Sequence, residues 1–477
     1  MSNHTSSSPQ PSLRAGAVQI DITPRLPIRL CGQYYQRIAK TVYSPLSANI
    51  LAIEDEYGDQ AVLVSCDLLA VSREFLALVR RKLAALPDIP NPAAVILSAI
   101  HTHTAPYLSN HTMAFFWGSD FVVAPNPAAE TPPDDYAEET AAKIAAGIAD
   151  AWQHRRPVRL AAGFDHICIA YNRRTRYRDG HTEMYGSTAR PDFFEMEGGS
   201  DGGIHFLLLR DEAGTPVCAV IEAACPAQVM EHKSEICADY WKLVRDKVGL
   251  AMGNFPIVSL CGAAGDLSPR DLVRTACEEA AMHSMEMYNP AGMERVASHI
   301  TEAFLRFAAE AVDEPNAGLH HAYEILSLPL RTVTEADATQ AKEKYNALRA
   351  KHVVIDSFTE AECTELSRLA ATVNRFALQQ QTTDWPAEVH VLRLGSAIIL
   401  TNPFELFVAY ADRLRAAAGN PNTLVVQLSC GYEGYLPTAK AIASGGYSAG
   451  VNNGFLGAEG GDALVNESLR LLHNLPI

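Results

Sequence analysis

The chain has 477 residues, of which 48% are hydrophobic and 20% charged, and it carries a formal net charge of −16. This composition is that of an ordinary globular protein, and the acidic balance excludes the basic face that a nucleic-acid partner needs. No apolar run approaches the roughly 20 residues of a membrane-spanning helix, so stable membrane insertion is not expected.

The first 14 residues, polar and rich in serine and proline, read as a disordered leader. They lack the apolar core of a signal peptide, which makes a cytoplasmic location the expectation. The 10 cysteines are scattered without a CxxC pair and are expected to be free, mostly buried thiols. Beyond the leader, short β-rich runs alternate with helical stretches, the pattern of an α/β protein. In chain order the clearest strands are "AVLVSCDLL", "AAVILSAI", "VCAVIEAAC", "PIVSLCG", "SAIILTN" and "TLVVQLSCG". Helical periodicity marks "SREFLALVRRKLAAL", "DDYAEETAAKIAAGIADAW", "GMERVASHITEAFLRFAAEAV", "EADATQAKEKYNALRAKH", "EAECTELSRLAATVNRFALQQ" and "PFELFVAYADRLRAAAG". No repeat, heptad run or linker divides the chain. The expectation is one large domain over residues 15–477, a mixed sheet with flanking helices, carrying a helical insertion at about 270–385.

Several strands run directly into loops that carry chemistry. "AVILSAI" ends at His101 and His103, and "CAVIEAA" at Cys225. "PIVSLCG" leads to Asp266 and Ser268, "AIILTNP" to Glu405, and "LVVQLSC" to Tyr432 and Tyr435. Ligands of α/β proteins bind outside the carboxyl ends of strands, so five such ends point to one convergent site. His101 and His103, two apart on a strand end, face the same side and are candidate metal or catalytic groups. Taken alone, Glu405 reads as first-turn acid on a helix dipole, and "GAAGDLSPR" as a nest, a turn or the seat of a nucleophilic serine. Asp67 is either a carboxylate orienting a histidine or a turn residue. His205 reads as a satisfied core histidine, and His111, His181 and His232 as surface residues.

The motifs "AGAVQIDITP", "SAIHTHTAP", "GAAGDLSPR", "NPFELFVAYADRLR" and "GYLPT" resemble, in order, those of the neutral/alkaline non-lysosomal ceramidases. Members of that family are zinc-dependent hydrolases of an N-acyl bond. The resemblance implies Zn2+ held by His101, Glu405 and Tyr435, with Ser268 as nucleophile or activated hydroxyl and His103 beside the reacting centre. Cys225, in "AACPAQ", stands where the family has a second zinc histidine, which implies a thiolate ligand in its place. Arg173 falls where the family has an arginine near the substrate. The family's C-terminal immunoglobulin-like domain is not expected within this length. The polar segment around Asn172–Arg173 does not look like a groove for a lipid tail.

The resulting expectation is a zinc-dependent hydrolase cleaving the amide bond of a small, polar substrate. Ser268 or a water attacks, His103 shuttles the proton, and Arg173 binds a carboxylate or oxyanion. Two alternatives stand beside it. One is an inactive, ceramidase-like binding protein. The other is an ester hydrolase in which "GAAGDLSPR" cradles an anion between Arg173 and Arg270. The acidic surface suits a monomer or a homodimer equally.

Overall fold

The computed structural model describes residues 13–109, 130–274, 289–351 and 358–476. Strand Leu13–Asp21 already begins at the end of the expected leader, whose first twelve residues lie outside the described ones, as does His111. The strands are set by alternating or continuous apolar patterns, and the helices by caps and one apolar face. In helix Arg73–Leu83, for instance, Ser72 Oγ accepts from the Phe75 amide, and Phe75, Leu76, Val79 and Leu83 form the buried stripe.

The main sheet has eight strands in the order Ile257–Cys261, Pro216–Ala223, Gly203–Arg210, Arg156–His166, Leu13–Asp21, Ser47–Asp55, Gln60–Cys66 and Val95–Ala99. Pairing is antiparallel in the middle and parallel at both edges, where helices Arg73–Leu83 and Tyr240–Met252 make the crossovers. Helices Arg73–Leu83 and Pro133–Gln153 cover one face, and Tyr240–Met252 and Pro290–Glu310 the other. The fold class is mixed α/β, as the alternation of patterns implied.

A second sheet, in the order Leu319–Pro329, Asp384–Leu394, Ala397–Thr401 and Thr423–Val426, packs on helices Val408–Ala418 and Ala458–Asn474. The region 270–385 is therefore not purely helical: strand Leu319–Pro329 lies between helix Pro290–Glu310 and the pair Glu335–Arg349 and Glu360–Gln379. That strand pairs along its full length with Asp384–Leu394, a partner distant in sequence.

The main sheet curls until its two edge strands approach each other. Ser65 Oγ, on the strand next to the Val95–Ala99 edge, donates to the Ser259 carbonyl of the opposite edge strand. The segment after Thr423–Val426 then bonds to both edges at once. The Gln427 amide donates to the Cys261 carbonyl at 3.0 Å, and the Cys430 amide to Leu97 at 2.8 Å. The Ala99 amide donates to the Leu428 carbonyl at 3.2 Å. The loop ends after Ala99, Cys261 and Val426 are thus brought to one place.

Candidate active site

His101 leaves strand Val95–Ala99 with φ 68, a left-handed conformation that a non-glycine residue adopts only at a cost of about 1–3 kcal/mol. The turn buries the imidazole and aims Nδ1 at the Leu69 carbonyl, 3.0 Å away. A carbonyl only accepts, so Nδ1 carries the proton and Nε2 presents a lone pair. Burial holds the ring's pKa below the usual histidine value, with Glu405 pulling the other way. The lone pair faces Glu405 Oε2 at 3.5 Å. Two acceptors thus confront each other inside a buried site.

Glu405 does not open a helix. It lies in the two-residue strand Glu405–Leu406, paired in parallel with Tyr435–Leu436, while the following helix begins at Val408. Gln427 Oε1 fixes this loop by accepting from both the Leu406 and Ala264 amides, each at 3.0 Å. Gly265 admits the close approach: a Cβ there would stand 2.3 Å from the Glu405 carbonyl oxygen. Tyr432 donates its hydroxyl to Glu405 Oε1 at 2.9 Å, leaving Oε2 for His101.

His103 packs edge-on against His101, with ring centroids 4.9 Å apart. Neither ring nitrogen has a hydrogen-bond partner among the described residues, and Glu231 Oε2 lies 3.5 Å from Nδ1. Burial, reinforced by the Arg37 and Arg173 guanidinium groups, keeps this ring neutral, its pKa well below the usual histidine value. Gly32, at φ 102, backs the ring so closely that a Cβ would lie 2.8 Å from its Cγ. Both histidines and Glu405 line one cleft, with Tyr34, Tyr107, Tyr432, Tyr435 and Tyr447 as its aromatic walls.

Tyr435 also lines the cleft, and its hydroxyl accepts from Arg173 at 3.0 Å. Arg173 is one layer removed. Its Nη2 also donates to the Gly265 carbonyl at 3.0 Å, so it supports Tyr435 from behind rather than facing substrate. Tyr34 donates to Tyr447 at 3.1 Å, which leaves the Tyr447 proton available to Tyr435 or to a bound molecule.

The structure does not bring Cys225 to this group. Its thiol sits in the apolar cluster with Ala223, Ala224 and Trp241, near the Ile169 and Pro226 carbonyls at 3.5 and 3.8 Å. Burial pushes the thiol up to about 12, so it sits neutral in that apolar pocket. Ser268 does not line the cleft either; its Oγ is fully buried and accepts from the Arg270 amide at 3.1 Å.

The loop "GAAGDLSPR" does not present the row of free amides an anion nest needs, because four of its amides are already spent. Those of Ala264, Gly265, Leu267 and Arg270 donate to Gln427 Oε1, Leu406, Ala264 and Ser268 Oγ respectively. The buried Asp266 carboxyl beside them accepts from Val408 and Asn172, and burial raises it to about 6. Asp67 orients no histidine: it holds Ser47 and Arg245. His205 is satisfied by Glu222 at 2.6 Å. Glu231, Tyr34 and Tyr447 were not singled out in the sequence, and only the last two carried a signal, as aromatic residues in polar loops.

His101, Glu405 and Tyr435 offer the donor set of a divalent metal. The 3.5 Å between His101 Nε2 and Glu405 Oε2 is too long for a good hydrogen bond and close to the span of two bonds of about 2.0–2.2 Å to one ion. Tyr432 on the second oxygen of Glu405 and Leu69 on the far nitrogen of His101 are the outer-shell partners that such ligands use.

The mixed sheet with its flanking helices has the fold of solved ceramidases. The crystal structure of neutral ceramidase from Pseudomonas aeruginosa superposes with a TM-score of 0.69 and 17% identity, covering 98% of this chain and 76% of that one. A ceramidase complexed with C2 gives 0.68 and 16%, over 97% and 75%. At these identities the likeness establishes the fold. No protein-family model and no curated protein matches the chain.

Proposed function

We propose that the chain is a metal-dependent hydrolase of an amide bond in a small substrate. The observation that carries this reading is the pair of acceptors, His101 Nε2 and Glu405 Oε2, facing each other at 3.5 Å in the cleft. A neutral imidazole and a carboxylate repel in that arrangement unless a cation lies between them. His101, Glu405 and Tyr435 would hold the ion; zinc suits the histidine and carboxylate, and the tyrosine is carried over from the resemblance. A zinc ion there would supply a Lewis acid to polarise the substrate carbonyl.

The remaining steps belong to the chain's own groups. His103 is neutral, buried and without hydrogen-bond partners among the described residues, so it can take a proton from an attacking water and return it to the leaving amine. Glu231 would stabilise the imidazolium formed in between. Tyr447, oriented by Tyr34, would donate to the developing oxyanion. Arg173 would stabilise negative charge on the Tyr435 oxygen. In this reading water attacks and Ser268 is a loop-fastening hydroxyl, while Cys225 is a core thiol.

The test pairs elemental analysis with a substrate panel. Glu405→Gln should lose about one metal equivalent relative to wild type, and wild type should hydrolyse N-acyl amides in preference to matched esters. Equal metal content in both proteins would refute the site. Metal retention without hydrolysis of any amide would favour a binding protein.

A further inference from the structure

Cys430, the last residue of the bridging segment Gln427–Cys430, belongs to a second group of ligand-type side chains. Glu388 and His390, from strand Asp384–Leu394, meet Cys430, with one ligand atom of each within 4.8 Å of the others. His321, from the neighbouring strand Leu319–Pro329, joins the far side of His390.

Proton counting shows that this group is one positive particle short. Three contacts run in a row: His321 Nδ1 to the Gln60 carbonyl at 2.7 Å, His321 Nε2 to His390 Nδ1 at 2.9 Å, and His390 Nε2 to Glu388 Oε1 at 2.8 Å. Both ends of the row accept only, since Glu388 is an ionised carboxylate gripped by Arg80 at 2.6 and 3.0 Å. Two neutral imidazoles bring two N–H groups to three contacts. With His321 protonated at Nδ1 and His390 at Nε2, the two remaining lone pairs point at each other.

We propose that Glu388, His390 and Cys430 form a second divalent-metal site, separate from the cleft and suited to zinc. A metal on His390 Nε2 moves the His390 proton to Nδ1, from which it donates to His321 Nε2. His321 then donates Nδ1–H to Gln60, and every nitrogen in the row is satisfied. Gln60 and His321 become the outer shell that orients the ligating histidine. The alternative occupant is an extra proton shared by the two rings. Replacing it and the Cys430 thiol proton by one divalent cation leaves the local charge unchanged, so the Arg80 guanidinium opposes the metal no more than it opposes the proton. The donor set of imidazole, carboxylate and thiolate is one that zinc accepts. Cys430 enters the group at φ 61, two residues after Leu428 at φ 55, so the backbone is held in an unfavourable conformation where it presents the thiol. Tyr323, which stacks on His390 and is half exposed, marks the side open to solvent.

The test uses the full chain carrying His101→Ala and Glu405→Gln, so that the cleft cannot contribute, stripped with a chelator and titrated with cobalt(II) alone. The expected result is about one cobalt per chain, a near-ultraviolet thiolate-to-cobalt absorption band, and release of about two protons per metal at a pH where the row is protonated. Adding Cys430→Ser should abolish the band, and adding His321→Ala should weaken binding about 10- to 100-fold. Far-UV circular dichroism without metal establishes that both remain folded. No cobalt bound in the cleft-deficient chain, or a band that survives Cys430→Ser, would overturn the second site. Because the cleft ligands are absent throughout, neither result bears on the proposed hydrolase.

Discussion

Glu405 and Tyr435 face each other across a two-residue parallel pairing, and each side chain is held by a different neighbour. Tyr432 bonds the carboxylate and Arg173 the phenol. The pairing sets the separation of the two groups by backbone geometry, so neither depends on a long flexible side chain finding its position.

That arrangement predicts a graded response at Glu405. Tyr432→Phe removes the donor to Oε1 but leaves the ligand oxygen in place. Metal affinity at the cleft should fall about 10- to 100-fold, by analogy with other outer-shell losses. Competition with a chelating dye would measure it, and an unchanged affinity would mean that the Tyr432 bond is incidental.

Ser268 and His103 should separate cleanly. With water as nucleophile, Ser268→Ala should keep amidase activity within about tenfold, whereas His103→Ala should lose about 10²- to 10⁴-fold as an acid–base group. Steady-state rates on the best amide of the panel decide this. A Ser268→Ala enzyme as dead as His103→Ala would restore the serine as nucleophile.

Gly32 gives a steric test of His103. Alanine there combines a disfavoured φ of 102 with a Cβ 2.8 Å from the imidazole. Gly32→Ala should cost about 1–3 kcal/mol of stability and displace the ring, lowering activity more than stability explains. Thermal unfolding and kinetics, measured together, would show both effects.

Glu433 predicts a pH dependence of stability. It is buried against Trp385 Nε1 and Arg73 Nε, at 2.5 and 3.0 Å. Burial nevertheless raises it from 4.5 to about 7, because Arg73 is one-third exposed and water screens it. A carboxyl that binds its proton more tightly when folded stabilises most below the unfolded value, and that contribution is lost as pH rises through the folded one. Glu433 should therefore cost stability progressively between pH 4.5 and about 7, by up to about 3 kcal/mol at 1.36 kcal/mol per pH unit. Glu433→Gln should flatten the profile in that window. Denaturant midpoints across pH would read it, and parallel profiles would discard the assignment.

Much of the architecture could be read from the chain, because strands with strong patterns announce themselves locally. The convergence of His101, Glu405 and Tyr435 was legible too, since each follows such a strand. Glu405 was misplaced onto a helix because Asn402–Pro403 looks like a helix start, while its real partner lies thirty residues downstream. Cys225 looked like a ligand from its place in a motif, yet which way a thiol turns after a strand is decided by tertiary packing. Strand Leu319–Pro329 was overlooked between helices, for its burial pattern is irregular and its pairing distant. Glu231 offered no local signal at all.

The segment Gln427–Cys430 pairs with the Val95–Ala99 edge of the curled main sheet and caps the end of the Ile257–Cys261 edge. A chain that stops before Thr423, or one still being synthesised, leaves the Val95–Ala99 edge and the end of the Ile257–Cys261 edge without these partners. Such margins recruit other strands, so truncated forms should aggregate rather than fold into smaller, working units. Closure must wait for residues near the end of the chain to return to strands laid down at its beginning, which makes assembly of the cleft a late and slow event.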